Sequence, residues 1–168
     1  RRAGDRLTIG RRTWDVVVGA GHSPEHVCLH DAEEGLLISG DQVLPRITSN
    51  VSVYPTEPEA DPLGDWLDSI ARLRTLPADT LVLPAHNEPF LGLHVRLDQL
   101  AADHTNKLEA LLDACAEPMT AFDSFGTLFR RPIGEGEIQM ATGEALAHLR
   151  WLHRRGEVEA ESCEGVTR

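Results

Sequence analysis

The sequence has few cysteines, and the three that it has show no spacing that would build a disulfide framework or a thiolate metal site. They are Cys28, Cys115 and Cys163, an odd number with no Cys-x-x-Cys pair among them. Because unpaired cysteines are typical of reducing compartments, we expect a cytoplasmic protein. Long apolar runs are also absent, since every run is far shorter than the about 18 residues that a membrane-spanning helix needs. The sequence therefore predicts no transmembrane segment and no membrane partner.

Positive charge is scarce in the sequence, which carries a formal net charge of −11 at pH 7. A protein that grips a nucleic-acid backbone needs a basic face that neutralises phosphates. The excess of acidic residues therefore disfavours a nucleic-acid partner, and it is compatible with a small-molecule substrate that is neutral or cationic, or with a local basic patch. Hydrophobic residues make up 41% of the chain, which is enough for a buried core in a globular protein.

Short apolar and β-branched segments, bounded by glycine or aspartate, occupy much of the first 97 residues and are typical of strands in a buried sheet. Between them, Asp61 and Pro62 form a helix start, and apolar residues follow at helical spacing until Pro77. We therefore predict an α/β domain over residues 1–97. The predicted strands are 14–18, 27–30, 36–39 and 81–83.

Helical patterns replace the strand patterns from residue 98 to the end of the chain. A strand that starts at Gly156 and a turn over residues 162–165 then predict a hairpin, whose second strand is cut short at Arg168. Three helices followed by a hairpin is the order of a winged helix, so we predict a small winged-helix-like domain over residues 98–168. The predicted helices are about 98–117, 120–129 and 137–155, and the last is expected to bury Met140, Leu146, Leu149 and Leu152.

Three residues of metal-binding type, His22, Asp41 and His86, each follow a predicted strand, and small or turn-forming residues flank each of them. Imidazole nitrogen and carboxylate oxygen are ligands that zinc takes, and iron or manganese accepts the same set. One carboxylate can also bridge two ions with its two oxygens. Taken singly, each residue is more often a hydrogen-bonded turn residue. The prediction of a metal site therefore depends on the order and context of all three.

Several other polar residues have two interpretations. The loop after Asp41 carries side chains that can contact an anionic group of a substrate, although a solvated loop fits them equally well. Glu25 or Glu88 is a candidate for proton transfer. His94 and His104 are expected at the surface rather than in a metal site. The polar residues of the loop are Arg46, Thr48, Ser49, Asn50 and Tyr54.

Three segments resemble the third, fourth and fifth metal-binding motifs of the metallo-β-lactamase superfamily, which includes glyoxalase II and several nucleases. The resemblance covers about residues 8 to 89 and implies the C-terminal half of an αββα sandwich. It also implies that His22 binds a first metal and His86 a second, while Asp41, the catalytic candidate, bridges both; His26 has at most a supporting role. The segments are Gly21–His26, Ser39–Asp41 and Leu83–His86.

The family's hallmark His-x-His-x-Asp-His loop is absent from these 168 residues, because no two of the eight histidines lie two positions apart. We expect this loop upstream of Arg1, where the sequence begins without an initiator methionine or a signal-peptide pattern. Each metal then has two of its usual four protein ligands, so we expect the 168 residues alone to be inactive. Asn87 stands where the family commonly has glycine, and asparagine tolerates left-handed backbone better than most residues.

The resemblance implies a hydrolase with a binuclear site of two divalent ions, expected to be zinc with iron or manganese as alternatives. The ions share a hydroxide that attacks an ester, thioester or lactone. Two other functions stay open: a metal-dependent endoribonuclease or other phosphodiesterase of the same fold, and a non-catalytic winged-helix regulatory module. Residues 98–168 contain seven basic and thirteen acidic residues, a balance that disfavours both.

Four basic residues of the second predicted domain cluster at the end of its third helix. Positive side chains in that position stabilise a helix C-terminus through its dipole, and this is the role we expect for them. The second domain is then expected to cover the active site, to shape its pocket or to form a homodimer contact. The basic cluster consists of Arg150, His153, Arg154 and Arg155.

Overall fold

Five strands of the first half of the chain form one sheet, in which spatial order follows chain order. The first four strands pair antiparallel, whereas the fifth lies parallel to the fourth. A parallel pair needs a crossover, and helix α1 (Pro62–Leu73) lies in this connection. The computed structural model describes residues 2–163, 166 and 167. The strands are β1 (Arg6–Ile9), β2 (Arg12–Gly19), β3 (His26–Asp31), β4 (Leu36–Gly40) and β5 (Leu81–Pro84).

The four predicted strands and the predicted helix α1 are confirmed, while β1 was not predicted. A turn at Gly10 and Arg11 joins β1 to β2, and Gly10 has a left-handed φ of +64°. Its lack of a side chain makes this conformation accessible. The hairpin adds an edge strand whose residues are mostly exposed. The sequence of β1 therefore lacks the continuous apolar run from which the other strands were predicted.

The two faces of the sheet differ in how far they are covered. Cys28, Leu37 and Val82 share one face and are fully buried. On the other face the side chains of Val27 and Ile38 remain 41% and 39% exposed, although both are β-branched and apolar. Apolar residues on both faces are typical of a sheet that lies inside a layered α/β fold. The sheet therefore has the patterning of an inner layer.

The chain divides into two compact units. Unit 1 comprises Arg1–Ser49 and Asp65–Ala101, and unit 2 comprises Asn50–Gly64 and Ala102–Arg168. The domain boundary after residue 97 stays a prediction. Unit 1 contains the five-stranded sheet, and its core includes Trp66 and Leu97.

Unit 2 is mainly helical and has a short hairpin. Residues 156–161, predicted as a strand, form turns, bends and irregular chain; the paired strands come later and have two residues each. Glu164 and Gly165 of the predicted turn lie outside the described residues, and the winged-helix arrangement stays a prediction. No helix in the described part of the chain is both long and apolar enough to cross a membrane. The elements are α2 (Leu93–Ala114), α3 (Phe125–Leu128), a 3-10 turn (Glu135–Glu137), α4 (Ile138–Arg154), β6 (Ser162–Cys163) and β7 (Val166–Thr167).

Helix α4 buries only part of the face that was predicted. Leu152 is 1% exposed and Leu149 is half-buried, whereas Met140 and Leu146 are 58% and 40% exposed, so the prediction that these last two face inward is wrong. The buried side also includes small residues, and at Gly143 a Cβ would lie 2.8 Å from the Cβ of Ser52. The backbone N–H of Val53 donates to the Gly143 carbonyl over 3.0 Å. Close backbone approach, rather than large apolar side chains, therefore determines which face of α4 is buried.

Two buried histidines from α2 and α4 are hydrogen bonded to each other in unit 2. The prediction that His104 is a surface residue is wrong, because it is 1% exposed. His148 Nδ1 donates to the carbonyl of Glu144 over 2.8 Å, which leaves Nε2 to accept from His104 Nδ1 over 3.0 Å. Burial, with the neighbouring His148 and Lys107, lowers the pKa of His104 to about 3, and burial also lowers the pKa of His148. Both imidazoles are therefore neutral at pH 7.

We predict that the free energy of unfolding falls as the pH is lowered from about 7 to about 5. Both histidines have a pKa near 6.5 in the unfolded chain and a lower pKa in the folded chain, so the unfolded state binds more protons below about pH 6.5. For His104, whose pKa in the folded chain is about 3, the loss approaches about 1.4 kcal/mol per pH unit, and His148 contributes in the same direction. Urea unfolding across this range measures it.

The exposed His153 provides a control for this pH dependence. His153→Gln should keep the wild-type loss of stability, whereas His104→Gln should show a smaller loss because one buried titrating group is gone. Stability that is constant or rises towards pH 5 would contradict the account.

Candidate metal centre

The carboxylate of Asp41 faces a different histidine with each of its two oxygens. His86 Nε2 lies 3.2 Å from Asp41 Oδ1, and His22 Nε2 lies 3.9 Å from Asp41 Oδ2. All three residues follow strands that run in the same direction, β2, β4 and β5, so they meet at one edge of the sheet. The structure thus brings together the three residues that the sequence predicted as metal ligands.

The shorter of these distances fits two donors that share a metal ion. Two donors at about 2.0–2.1 Å from one tetrahedral zinc lie about 3.3 Å apart, close to the 3.2 Å between His86 and Asp41. The 3.9 Å between His22 and Asp41 is longer, so these two side chains must move closer together to share an ion. Each such pair offers two donors, and within the described residues no three His, Cys, Asp or Glu side chains form a group that could hold one ion. The side chains of His22 and Asp41 are half-buried and that of His86 is exposed, so the site is open to solvent.

The main chain around Asp41 is fixed by contacts on both sides. Gly40 has a left-handed φ of +55° at a register shift between β4 and β5, and its carbonyl accepts from Ala85 N over 3.0 Å. The hydroxyl of Ser49 donates to the carbonyl of Asp41 itself. Because Ala85 directly precedes His86, the Gly40 contact also links the two ligand loops.

His26 contacts the two residues that precede Asp41, Ser39 and Gly40. Its Nε2 donates to the Ser39 carbonyl over 3.1 Å, and its ring covers Gly40 so closely that a Cβ there would lie 2.5 Å from Nε2. The His22 and His26 rings form an edge-to-face pair with centroids 5.9 Å apart. Burial, followed by the charge of His22, lowers the pKa of His26. Its position agrees with the supporting role that the sequence predicted.

The loop that carries His22 is held by Gln42, a residue that sequence reasoning missed. The buried Gln42 side chain donates from Nε2 to the Ala20 carbonyl over 3.2 Å, while Ala20 N donates to Ser69 Oγ over 2.8 Å. A Cβ at Gly19 would lie 2.5 Å from Gln42 Cδ. Both contacts join residues far apart in the sequence, and no local pattern indicates them.

Four other polar residues that the sequence singled out differ in backbone conformation and in the residues that they contact. Asn87, directly after His86, adopts the expected left-handed conformation with φ of +67°. Arg46 pairs with Glu88, whereas Asn50 donates to Glu144 in unit 2. His94 is half-buried at the start of α2, not in a surface turn, and its Nε2 donates to the carbonyl of Leu76 over 2.8 Å.

Two families match the chain, and together they cover most of it. Residues 1–86 match the metallo-beta-lactamase superfamily, and residues 108–168 match the metallo-beta-lactamase-like, C-terminal domain family. The chain is also similar to a beta-lactamase domain protein from Burkholderia ambifaria whose crystal structure is known. The two are 48% identical with a TM-score of 0.96, over all of this chain and 50% of that one.

Curated relatives match shorter parts of the chain. A hydroxyacylglutathione hydrolase from Erythrobacter litoralis is 32% identical over 83 residues, which are 49% of this chain and 30% of the relative. The acyl-coenzyme A thioesterase MBLAC2 from Gallus gallus is 34% identical over 107 residues, 62% of this chain and 36% of the relative. The chain thus spans about a third of the length of the curated relatives that it matches.

We predict that Gly40→Ala lowers the free energy of unfolding more than Gly10→Ala does. Both glycines have a left-handed φ, so both variants lose about 1–2 kcal/mol to backbone strain. A Cβ at Gly10 meets nothing within 4 Å, whereas at Gly40 it meets the His26 ring, which adds about 1–3 kcal/mol of overpacking. Urea unfolding measures the difference, and equal losses in the two variants would contradict it.

Proposed function

Since this chain belongs to the metallo-beta-lactamase superfamily, we propose that it carries half of the metal site of a hydrolase that cleaves thioesters. The observation that carries the proposal is the position of Asp41 between His22 and His86. Thioesters are favoured over esters and lactones because the hydroxyacylglutathione hydrolase and the acyl-coenzyme A thioesterase among its relatives are named for acyl groups on thiol carriers.

Three residues of this chain are proposed to hold two divalent ions, for which zinc is expected. His22 with Asp41 would hold the first ion, and His86 with Asp41 would hold the second. When bound, such ions polarise a carbonyl and lower the pKa of water towards neutrality. The contacts of Gly40 and Ser49 keep the Asp41 carboxylate oriented between the two histidines.

The number of donors indicates that further ligands come from outside these residues. Protein zinc sites use three or four protein ligands, whereas each pair here provides two. His26 is not counted in either pair, since its Nε2 donates to the Ser39 carbonyl and its Nδ1 faces the hydroxyl of Ser23 over 3.5 Å. We therefore propose that the 168 residues alone bind zinc weakly and have little hydrolase activity. Tight binding of two zinc ions by this chain would contradict that proposal.

A nuclease function is less well supported, because the basic cluster at the end of α4 is engaged within unit 2. Arg150 pairs with Glu59 over 2.8 Å, and Arg154 lies 3.9 Å from Asp61. The guanidinium of Arg155 lies over the Trp151 ring, 3.5 Å from its centroid. These contacts favour a structural role for the cluster.

We predict that His22→Ala, Asp41→Ala and His86→Ala each lower kcat/KM for thioester hydrolysis by the full-length protein more than about 100-fold. Residues that only orient metal ligands already contribute about 10–100-fold, so loss of a ligand should cost more. The change in absorbance on thiol release measures the rate, with zinc content measured in parallel.

The exposed Asp98, paired with Arg74, supplies the control, and Asp98→Asn should keep the wild-type rate and zinc content. Single-stranded RNA assayed under the same conditions separates the alternatives. RNA cleavage that is lost in His22→Ala, without thioester hydrolysis by the wild type, would favour the nuclease instead.

A further inference from the structure

The loop after Asp41, residues 42–47, is held rigidly on both sides of Arg46, and we call it the Arg46 loop. Val43 and Leu44 are buried, and the hydroxyl of Ser39 donates to the Val43 carbonyl over 2.9 Å. Arg96 of α2 then donates from Nε to the Leu44 carbonyl over 2.6 Å and from Nη2 to the Ile47 carbonyl over 2.8 Å. One guanidinium thus fixes the backbone on either side of Arg46.

The Arg46 side chain projects from this fixed backbone and is 68% exposed. Its Nε and Nη2 both donate to a single oxygen of Glu88, Oε1, with the Nε contact at 2.9 Å. Glu88 is two residues beyond His86, so their Cα atoms lie within about 7.6 Å of each other. The Arg46 guanidinium therefore joins the loop that follows Asp41 to the loop that follows His86, the two loops that carry two of the three candidate metal ligands.

The pair between Arg46 and Glu88 can be exchanged for a pair with a ligand. Exposed ion pairs contribute little to stability, since solvent screens both charges. A guanidinium has five N–H groups, and those of Arg46 that contact Glu88 both use one carboxylate oxygen. A carboxylate or phosphate that offers two oxygens is a better partner for this fork. Glu88 thus holds the guanidinium in place without blocking it.

Because the chain as a whole is acidic, a positive side chain at position 46 matters for the binding of an anionic substrate. At a net charge of −11 the protein repels anions on average. A substrate that carries carboxylates or phosphates needs a fixed positive group close to the reacting site, and the fixed Arg46 loop supplies one.

We propose that Arg46 selects thioesters of anionic thiol carriers by binding a carboxylate or phosphate of the carrier in place of Glu88. This specificity role rests on the proposed thioester hydrolase function. Coenzyme A offers phosphates and glutathione offers carboxylates, so the shared chemistry is an oxyanion that a guanidinium binds through two oxygens.

The test compares three thioesters of the same acyl group in the full-length, metal-loaded protein, with coenzyme A, glutathione and uncharged N-acetylcysteamine as carriers. Arg46→Gln should lower kcat/KM for an anionic carrier about 10- to 100-fold and leave the uncharged carrier nearly unchanged. A loss confined to coenzyme A identifies a phosphate, and a loss confined to glutathione identifies a carboxylate. Arg46→Lys should recover part of the loss.

The variant Glu88→Gln distinguishes substrate binding by Arg46 from a purely structural role of the Arg46–Glu88 pair. If Glu88 competes with the substrate for Arg46, its removal should lower KM for the anionic carrier, the opposite of the change in Arg46→Gln. If the pair only holds the two loops together, both variants should lose activity on all three thioesters. Arg6→Gln, which breaks the exposed pair with Asp15 on β1 and β2, is the matched control and should change none of the three rates.

Binding of free coenzyme A and free glutathione to metal-free protein, measured by calorimetry, adds a readout that does not depend on hydrolysis. We expect Arg46→Gln to weaken the binding of one of them about 10-fold or more. Equal affinities in wild type and Arg46→Gln, or equal losses of kcat/KM on all three thioesters, would overturn the Arg46 proposal alone. Absence of thioester hydrolysis by the wild type, with carrier binding that depends on Arg46, would contradict the hydrolase function and leave the anion-binding role supported.

Discussion

The placement of one carboxylate between two imidazoles is the constraint on which the rest of unit 1 depends. Asp41 reaches His22 and His86 because β2, β4 and β5 run in the same direction and end at one edge of the sheet. Close contacts then restrict the main chain near His22 and Asp41, with Gln42 against Gly19 and His26 against Gly40. Space favours glycine at both positions, and at Gly40 the left-handed backbone favours it as well.

Histidines of the same chain have opposite roles in the two units. At the sheet edge, His22 and His86 are accessible and turn Nε2 towards a carboxylate, an arrangement that suits metal binding. In unit 2, His104 and His148 are buried, and a nitrogen of each is committed to the other imidazole. The solvent exposure of an imidazole and the group that its nitrogen faces therefore distinguish a candidate metal ligand from a buried structural histidine.

The sequence predicted the elements whose signals are local and missed those that depend on tertiary packing. Strand β4 and helix α1 follow from an apolar run and from Pro62 at a helix start, and the candidate ligands were indicated by motifs at strand ends. The inward positions of Met140 and Leu146 in α4 were predicted wrongly because small residues of this helix, such as Gly143, permit close approach and are buried instead. The contacts of Gln42 and Arg96 join segments 22 and 52 residues apart, for which the sequence holds no local signal.

Anomalous diffraction at the zinc edge, from crystals of the full-length protein loaded with zinc, shows whether Asp41 binds metal between the two histidines. We predict two zinc peaks, one bonded to His22 and one to His86, with a different oxygen of Asp41 bonded to each. Zinc that is not bonded to Asp41, or zinc bound at a site that contains neither His22 nor His86, would contradict this prediction.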